Sequence, residues 1–263
     1  MEKKFIYDDS IGFVELVDSL GSDVTIVNSA RVSFGKHKTK IDESDEKLVK
    51  FLAKNGHTST FEHTVVTFRV KVPIFVARQH MRHRTWSYNE QSSRFAETPD
   101  EFYMPTKFRT QHAKNLQSSN ADEFINPILE SWEKSPNSPE STSCIYTRAD
   151  EMLRTHCEES MKLYKLMLEN GICREQARMV IPVSVYTSYY ATCNLSNCLK
   201  FIKLRLHKGA QQEIQVVAKA MLEIISELWP ISVTAWAEAN GLSVQKTPEY
   251  AQSLQSDFGV TGC

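Results

Sequence analysis

The clearest pattern of hydrophobic and polar positions lies in residues 64–72, where Val66, Phe68 and Val70 alternate with polar side chains. A period of two is typical of a strand that buries one face. Pro73 ends the alternation, and the segment that it opens, PIFVARQHMRHR, predicts a helix with proline in its first turn. The best strand of the sequence therefore leads directly into a helix that becomes strongly basic.

Further helices are predicted from apolar residues at helical spacing and from capping residues. They cover residues 24–32, 44–56, about 143–169, a segment capped by Asn194, and 211–228. In the second of these, Ser44 stands at the N-cap and Gly56 directly beyond the last turn, which are positions that these residue types favour.

Two further strands are predicted, a weak one over residues 11–19 and a β-branched, aromatic one in VSVYTSYYAT after Pro182. Residues 106–142 are the least regular part, with a short amphipathic piece that includes Phe124 and Trp132, followed by the turn or loop SPNSPESTS. This irregular mixture of helices and strands predicts an α+β fold in one interwoven domain.

Composition narrows the classes of function. The 263 residues are 41% hydrophobic and 24% charged, and 31 Lys+Arg against 32 Asp+Glu leave a formal net charge of -1. This balance argues against bulk nucleic acid or an anionic membrane as the main partner. No apolar run approaches the ~20 residues that span a bilayer, and six cysteines form no CxxC pair, so we expect a cytoplasmic, soluble protein with reduced thiols and no metal.

Positive charge is nevertheless concentrated in residues 78–94, RQHMRHRTWSYNEQSSR, which hold four arginines and two histidines against one acid, Glu90. Guanidinium groups suit phosphate and carboxylate oxygens, and the neighbouring hydroxyls and amides can recognise a small polar ring. The segment thus predicts an anion site with added specificity. The alternative is a solvated basic surface, or an arginine cluster that binds acidic residues elsewhere in the fold. A metal site at His80 and His83 is disfavoured, because the nearby arginines repel a cation.

Other segments carry matching chemistry. The polar turn HTSTFEH, residues 57–63, precedes the best strand, and Arg174 and Arg178 stand four apart before the last strand. Asn194 and Ser196 lie at the start of a predicted helix, where free N–H groups favour a phosphate. These segments are the candidates to complete the anion site.

Arg82-His83-Arg84, seven intervening residues and then Ser92 resemble the RHR-x7-S signature of the flavin-dependent thymidylate synthases (ThyX). This long motif with fixed spacing is highly specific. The resemblance covers most of residues 11–240, and the further matching segments are ARVSF at 30–34, HTSTFEH at 57–63, PIFVARQ at 73–79, NEQSSR at 89–94, REQARMVIP at 174–182 and the stretch 204–214.

The resemblance implies a methyltransferase that makes dTMP from dUMP, with methylenetetrahydrofolate as carbon donor, FAD as hydride carrier and NADPH as reductant. It implies a twisted, mainly antiparallel sheet packed by helices, in a single domain over 1–263 with 106–142 as a variable insertion and 241–263 as a tail. A homotetramer with sites at subunit interfaces is also implied, with no nucleic-acid or membrane partner.

The resemblance also implies roles for individual residues. Arg205 is the expected catalytic residue, which favours ionisation at N3 of the uracil, and His57 is expected near the entrance of the flavin site. The expected dUMP-binding residues are Gln79, His80, Met81, Arg82, Glu90, Gln91, Ser92, Ser93, Arg94, Arg178 and Arg205. The expected FAD-binding residues are Ser59, Glu62, Arg82, His83, Arg84, Glu90, Asn194, Ser196 and Lys200.

Three positions depart from the family pattern, which often has arginine at Ser196, asparagine at Lys200 and histidine at Gly209. The charge of Lys200 suggests that it contacts the pyrophosphate directly. None of the cysteines lies in an arginine-rich motif that would make it a thiolate, and Ser92 lacks a histidine–acid pair, so neither is expected to be a nucleophile.

Two other functions remain open from the residues. A single-strand or RNA binder could use Arg82, Arg84 and Arg94 together with the aromatic side chains Trp86, Tyr88 and Phe95 as stacking platforms. A relative that has lost methylation and acts only as a flavin oxidase is the second. A flavin absorbance band in the purified protein separates the first alternative from the family reading, and dTMP formation separates the second.

Overall fold

The computed structural model describes residues 3–135 and 138–242, without the side chains of residues 133–143. Short 3-10 turns cover Val32–Phe34, Thr58–Glu62 and Arg178–Val180. The strands are β1 (Lys3–Phe5), β2 (Phe13–Leu20), β3 (Val65–Pro73), β4 (Ser87–Glu90), β5 (Phe108–Gln111), β6 (Ser119–Ile125), β7 (Ile128–Ser135), β8 (Ser138–Arg148) and β9 (Tyr186–Asn194). The helices are α1 (Asp23–Arg31), α2 (Glu43–Lys54), α3 (Ile74–His80), α4 (Ala149–Glu169), α5 (Arg174–Ala177), α6 (Leu195–Arg205), α7 (Gln212–Leu228) and α8 (Pro230–Ala239).

Five strands form an antiparallel sheet in the order β1-β2-β3-β9-β4. The alternation predicted for residues 64–72 is confirmed, because Val66, Phe68, Val70 and Val72 of β3 are all buried. Strands β3 and β9 pair along their whole length, from Val65 opposite Asn194 to Pro73 opposite Tyr186. The mixture of helices with an antiparallel sheet confirms the α+β class. Because Pro73 lies opposite Tyr186, α3 starts beside the beginning of β9, where the backbone N–H of Ile74 donates to Val185 O at 3.0 Å.

The main core lies between the sheet and the helices that follow its strands. Its members come from β2, β3, β9 and helices α1, α2, α6, α7 and α8, with Trp229 and Phe201 among the fully buried side chains. A second, smaller cluster joins α4 to α5 through Met161, Tyr164 and Ala177. Burial of this kind of apolar surface is the main source of stability, at about 25 cal/mol per Å². The basic segment that follows α3 is therefore connected to helices and strands that the core holds in place.

Two predicted helix starts are wrong. Helix α2 begins one residue before Ser44, and Asp42 is its N-cap, since the Asp42 carboxylate accepts hydrogen bonds from the backbone of Ser44 and Asp45. Gly56 does stand beyond the last turn, with φ of +68°. The helix predicted from residue 143 begins at Ala149, because residues 138–148 pair with β7 as a strand.

The helix predicted over residues 73–84 ends at His80. Residues 81–86 form turns instead, in which the backbone N–H of His83 donates to His80 O at 3.0 Å and that of Trp86 donates to His83 O at 3.2 Å. Arg82 and Arg84 consequently lie outside the helix. The turn lets adjacent basic side chains point in different directions.

Two regions were not predicted as regular structure. Residues 106–142 contain most of two hairpins, β5–β6 and β7–β8, so the amphipathic piece that includes Phe124 and Trp132 consists of strands. Helix α8 was also missed, although Pro230 opens it. Its N-terminus is capped by the buried Asp23, which accepts hydrogen bonds from the backbone N–H groups of Ile231 at 3.1 Å and Ser232 at 2.9 Å.

None of the helices in residues 3–135 and 138–242 combines the length and the apolar character that a bilayer crossing requires. Residues 243–263, which make up most of the predicted tail, lie outside the described residues, and the single-domain assignment of 1–263 stays a prediction.

Candidate active site

The turn after α3 is held from the inside by Tyr88 of strand β4. The Tyr88 hydroxyl is within hydrogen-bonding distance of two carbonyl oxygens, that of His80 at 2.7 Å and that of His83 at 3.2 Å. Strand β4 itself pairs with β9, with Tyr88 opposite Ala191. The basic segment is thus fixed to the sheet through its own downstream strand, which sequence reasoning treated only as part of the motif.

His80 is enclosed by aromatic side chains and is fully buried. Its Nδ1 lies 2.9 Å from the Tyr189 hydroxyl, and its ring centroid lies 4.5 Å from that of Phe201 and 4.6 Å from that of Trp86. Burial, together with the charges of His83 and Arg205, lowers the pKa of His80 to about 3. The imidazole is therefore neutral and structural, while the expected contact of this residue with the nucleotide involves only its backbone.

Arg205, at the end of α6, is half-buried against the same turn. Its Nε donates to Nε2 of His83 at 3.1 Å, and its Nη2 donates to the Gln79 carbonyl at 3.0 Å. Burial and then the nearby Arg82 lower the pKa of Arg205. Burial and then Arg205 lower the pKa of His83 to about 4, so this imidazole is neutral and can accept a hydrogen bond.

The side chain of Gln79 extends the same cluster by donating to the side chain of Gln211, which precedes α7. We call the four residues Gln79, Arg82, His83 and Arg205 the first arginine group. The α6 helix, the α3 turn and the start of α7 meet here, so residues 122 positions or more apart in sequence are in contact. Gln211 is a site residue that sequence reasoning quoted in the 204–214 match but did not assign.

A second arginine group lies beyond the far end of β4 and comprises Arg94, Arg174 and Arg178. Arg94 forms an ion pair with Glu175 of α5 at 3.2 Å, and Arg174 forms one with Glu97 at 3.6 Å. Arg178 is exposed in the 3-10 turn that directly follows α5. Throughout the described residues, no hydrogen bond or ion pair joins this group to the first.

The polar residues between the two groups are anchored to β9. The Glu90 carboxylate accepts a hydrogen bond from Thr187 at 2.8 Å, and the backbone of Gln91 donates to Ser188 O at 2.9 Å. Ser92 Oγ accepts from the backbone N–H of Arg94 at 3.2 Å. Two further members of the expected dUMP-binding set are Met81, which is the C-cap of α3, and Ser93, which is half-buried.

A cavity of 330 Å³ opens between α2, α6, α8 and the 3-10 turn Thr58–Glu62. Lys200 and Ser196 of the expected FAD set line it, together with Thr58 and Phe61 from the turn that carries Ser59 and Glu62. Three lysines and no acidic residue face the cavity, which makes it a cationic site in a chain of almost balanced charge. The structure thus brings two separately predicted segments to one cavity.

Ser196 provides an independent observation at this cavity. Its hydroxyl is buried, and no described residue gives it a hydrogen-bond partner. Buried polar atoms are normally satisfied, so an unpaired hydroxyl at a cavity wall favours a polar ligand atom there. Asn194 caps α6 by accepting from the backbone of Asn197 at 2.9 Å, which confirms the predicted cap.

Other predicted residues are exposed. Ser59, Glu62 and Arg84 are accessible, and the His57 ring stacks on that of Phe51 with centroids 5.9 Å apart. Lys54 and Lys203 also line the cavity, although sequence reasoning gave them no role there. Both are basic residues close in sequence to expected site residues, which was a usable signal. Only the tertiary fold, however, shows which face of each helix lines the cavity.

The structure weakens the RNA-binding alternative. Trp86, one of the proposed stacking platforms, is buried and lies with its ring parallel to that of Tyr88 inside the turn. Phe95 is 85% exposed and is the single one of the three aromatic side chains that is fully accessible. In the same described ranges, no cluster of His, Cys, Asp and Glu is arranged to bind a metal ion.

Sequence comparison identifies relatives over nearly the whole chain. A family model described as "Thymidylate synthase complementing protein" matches residues 15–231. A "Flavin-dependent thymidylate synthase" of Thermus thermophilus is 38% identical, with 95% of this chain and 89% of that protein covered. Proteins of the same name from Thermosipho africanus and Treponema denticola are 40% and 37% identical, covering 86% and 100% of this chain and 90% and 94% of their own length.

Structural comparison agrees with these relatives. The crystal structure of the UMP/dUMP methylase PolB from Streptomyces cacaoi bound with 5-Br dUMP matches with a TM-score of 0.71 and 31% sequence identity, covering 88% of this chain and 97% of that chain. The same methylase bound with 5-Br UMP matches with a TM-score of 0.69 and 32% identity, covering 88% of this chain and 96% of that one.

Proposed function

Since the chain belongs to the flavin-dependent thymidylate synthase family, we propose that it transfers a one-carbon unit from methylenetetrahydrofolate to dUMP, with FAD as the flavin and NADPH as reductant. The enzyme is a methyltransferase that forms dTMP from dUMP and depends on a flavin. The identities of the dinucleotide, the folate and the reductant are the proposed part.

The observation that carries the proposed mechanism is the orientation of Arg205. Two of its N–H groups are committed to His83 and Gln79, which fixes the guanidinium plane, while the described residues leave its other N–H groups available. Uracil C5 is a weak nucleophile, and a fixed cation beside the ring stabilises negative charge delocalised from N3. We assign Arg205 to this task, in which it makes C5 more reactive without a covalent bond to the protein.

The flavin supplies hydride transfer when it is bound. The protein residues bind and orient the nucleotide. In this proposal Gln79 and Arg82 of the first arginine group meet the nucleotide on one side, and Ser92, Arg94 and Arg178 hold its phosphate on the other. Guanidinium groups suit this role because their paired N–H donors match phosphate oxygens.

The cationic cavity supports FAD as the flavin. Ser196 has an unpaired hydroxyl, and Lys200 and Lys203 are the lysines of α6 that line the cavity. A flavin dinucleotide carries a pyrophosphate that flavin mononucleotide lacks. Two ammonium groups that line the same cavity stabilise such an anion. Where relatives often have arginine at position 196, this chain supplies the positive charge from Lys200 and Lys203 instead.

A homotetramer with shared sites is the proposed assembly. The two arginine groups are separate in one chain, although the family reading assigns both to one nucleotide. Large apolar side chains are exposed close to the second group, with Met179 at 73%, Val183 at 61% and Phe95 at 85%. Exposed apolar side chains gathered near a site are typical of a surface that another chain covers.

The direct test is conversion of dUMP to dTMP by the purified protein with FAD, NADPH and methylenetetrahydrofolate. Arg205→Ala is expected to lower kcat/KM for dUMP by about 100-fold or more while retaining the flavin absorbance, because it removes a group that stabilises charge in the transition state. Arg154→Ala, on the exposed face of α4, is the matched control and is expected to be as active as the wild type.

The same assay separates the alternatives. NADPH oxidation without any methylated product in the wild type would identify a flavin oxidase instead. A parallel reaction with UMP shows whether the ribonucleotide is also methylated, as the name of the Streptomyces cacaoi enzyme suggests for that protein.

A further inference from the structure

We propose that His83 is a positioning residue for Arg205: its neutral imidazole accepts the Arg205 Nε–H and thereby sets the orientation in which the guanidinium meets the pyrimidine. This inference rests on the proposed role of Arg205 in dUMP binding. It gives His83 a task in addition to the flavin contact that the family resemblance implies.

The hydrogen bond between Arg205 and His83 fixes the plane of the guanidinium group. Arg205 Nε lies 3.1 Å from His83 Nε2, and this Nε–H is the donor at the inner end of the guanidinium plane. Together with the bond from Nη2 to Gln79 O at 3.0 Å, it fixes one edge of the plane. Two bonds to one side of a planar group remove its freedom to rotate about the Cδ–Nε bond, so the opposite edge has a defined direction.

The contact between Arg205 and His83 also depends on the protonation state of the His83 imidazole. An arginine cannot act as an acceptor, so the contact is a hydrogen bond only if Nε2 is unprotonated and the ring proton is on Nδ1. The charged group beside this imidazole is Arg205 from α6, and the ring centroids of His80 and Phe201 lie 6.5 Å and 4.9 Å from that of His83. The Arg205 guanidinium beside the ring opposes a proton on Nε2.

The turn after α3 that carries His83 is itself held in place by hydrogen bonds. The hydroxyl of Tyr88 contacts the His83 carbonyl, and the His83 backbone N–H donates to His80 O at 3.0 Å. An acceptor on a rigid turn transmits its position to the donor, whereas an acceptor on a mobile loop does not. His83 is therefore suited to hold a side chain that comes from another helix, 122 positions away in the sequence.

The experiment compares two replacements of His83 in the FAD-loaded enzyme. Glutamine places an amide oxygen close to the position of Nε2, while leucine has a similar volume and no acceptor. We expect His83→Leu to weaken dUMP binding about tenfold, the effect of losing one hydrogen bond to a charged group, and His83→Gln to recover most of that affinity. Isothermal titration calorimetry with dUMP measures both, and His207→Leu, at an exposed histidine two residues beyond the end of α6, is the matched control with wild-type affinity.

A double-mutant cycle separates positioning from a flavin contact. Arg205→Lys keeps the positive charge but has no Nε–H, so His83→Leu should add less than about twofold to the loss of dUMP affinity in that background. Losses that multiply, a His83→Gln variant as weak as His83→Leu, or unchanged dUMP affinity in His83→Leu would each overturn the inference. Unchanged affinity in Arg205→Lys and Arg205→Ala would instead overturn the proposed role of Arg205, and flavin fluorescence confirms in every variant that FAD is bound.

Discussion

Some residues of the basic segment are placed to bind ligands, whereas others hold the segment in place. The two histidines illustrate this difference. His80 and His83 differ by three positions, yet aromatic rings enclose the first and the second is half-buried beside Arg205. Both are kept neutral, because burial and neighbouring positive charge disfavour the protonated ring. Their titration therefore affects folding stability as well as function.

The free energy of unfolding should fall as the pH decreases from about 6.5, the ordinary histidine pKa, to about 4, the pKa of folded His83. In that window the unfolded chain binds the proton and the folded chain does not, so acid favours unfolding; above pH 6.5 the contribution is complete. Urea titrations at several pH values measure the slope. His83→Gln, which has no titrating ring, should show a slope smaller by at most about 1.4 kcal/mol per pH unit.

An equal slope in His83→Gln and the wild type would show that His83 is protonated alike in both states.

Tyr88 allows a second prediction at this scale, because one hydroxyl serves the two carbonyl groups that shape the turn. Tyr88→Phe should lower the free energy of unfolding by about 1 kcal/mol, the net contribution of one hydrogen bond, because both carbonyl groups keep the backbone N–H donors of His83 and Trp86. It should also weaken dUMP binding, since His83 would lose its fixed position. Denaturant unfolding and calorimetry check the two effects, and Tyr146→Phe on the exposed face of β8 should change neither. An effect on stability alone would show that the turn keeps its shape without the hydroxyl.

The sequence predicted which residues form the arginine groups better than it predicted their contacts. Motif spacing placed Arg82, His83 and Ser92 in one segment, and the structure places the first two in the turn after α3 and Ser92 beyond the end of β4. The partners Gln211 and Tyr189 could not be predicted by spacing, because both come from distant elements and their residue types have common packing roles. Periodicity describes one element at a time, whereas a side-chain hydrogen bond between elements depends on their relative placement.

At the scale of elements, the difference between patterns within one element and contacts between elements explains which helices and strands were predicted and which were missed. Strand β3 and helix α7 were predicted closely because each has a regular apolar face of its own. Helix α8 was missed because Asp23, more than 200 positions away in the sequence, provides its cap. Strands β5 to β8 were missed because hairpins outside the main sheet bury little, so their sequences carry no clear alternation.

The β5–β6 hairpin is nevertheless joined to the site. Arg109 of β5 forms an ion pair with the buried Glu213 of α7, at 2.8 Å and 3.0 Å to its two carboxylate oxygens, and donates to Ser119 at 2.9 Å. Glu213 is two residues from Gln211, which accepts the hydrogen bond of Gln79. A segment expected to be a variable insertion thus contacts the helix that supports the first arginine group.

Arg109→Met should therefore lower the free energy of unfolding by about 3 kcal/mol, since it leaves the Glu213 carboxylate buried without its cation. The double variant with Glu213→Gln should recover a large part of this loss, because an uncharged amide is cheaper to bury. Urea unfolding at one fixed protein concentration measures both, with Lys114→Met in the exposed turn between β5 and β6 as control. No recovery in the double variant would mean that the packing of the arginine stem, and not the charge, holds the hairpin.

At the scale of the whole molecule, the separation of the two arginine groups allows a test of how subunits share a site. Arg205 lies at the end of α6 and Arg178 follows α5, and within residues 3–135 and 138–242 no polar contact connects their groups. If one nucleotide is bound by the first group of one chain and the second group of another, then two differently inactivated chains can form an intact site together. In a homotetramer of closed symmetry this arrangement repeats at each equivalent interface.

Arg205→Ala and Arg178→Ala should each be nearly inactive alone, and co-expression of the two variants should restore activity to roughly a quarter of the wild-type value. That fraction follows because an intact site needs an Arg178→Ala chain to supply Arg205 and an Arg205→Ala chain to supply Arg178, which random mixing gives at one pairing in four. Affinity tags on the two variants isolate the mixed assemblies, and dTMP formation measures the recovered activity. Mixed assemblies as inactive as their parents would place the complete site in one chain, because each chain then carries one damaged group. Co-expression of Arg205→Ala with Arg82→Ala, two changes in the same group, serves as the control, since no pairing of those chains restores the first arginine group.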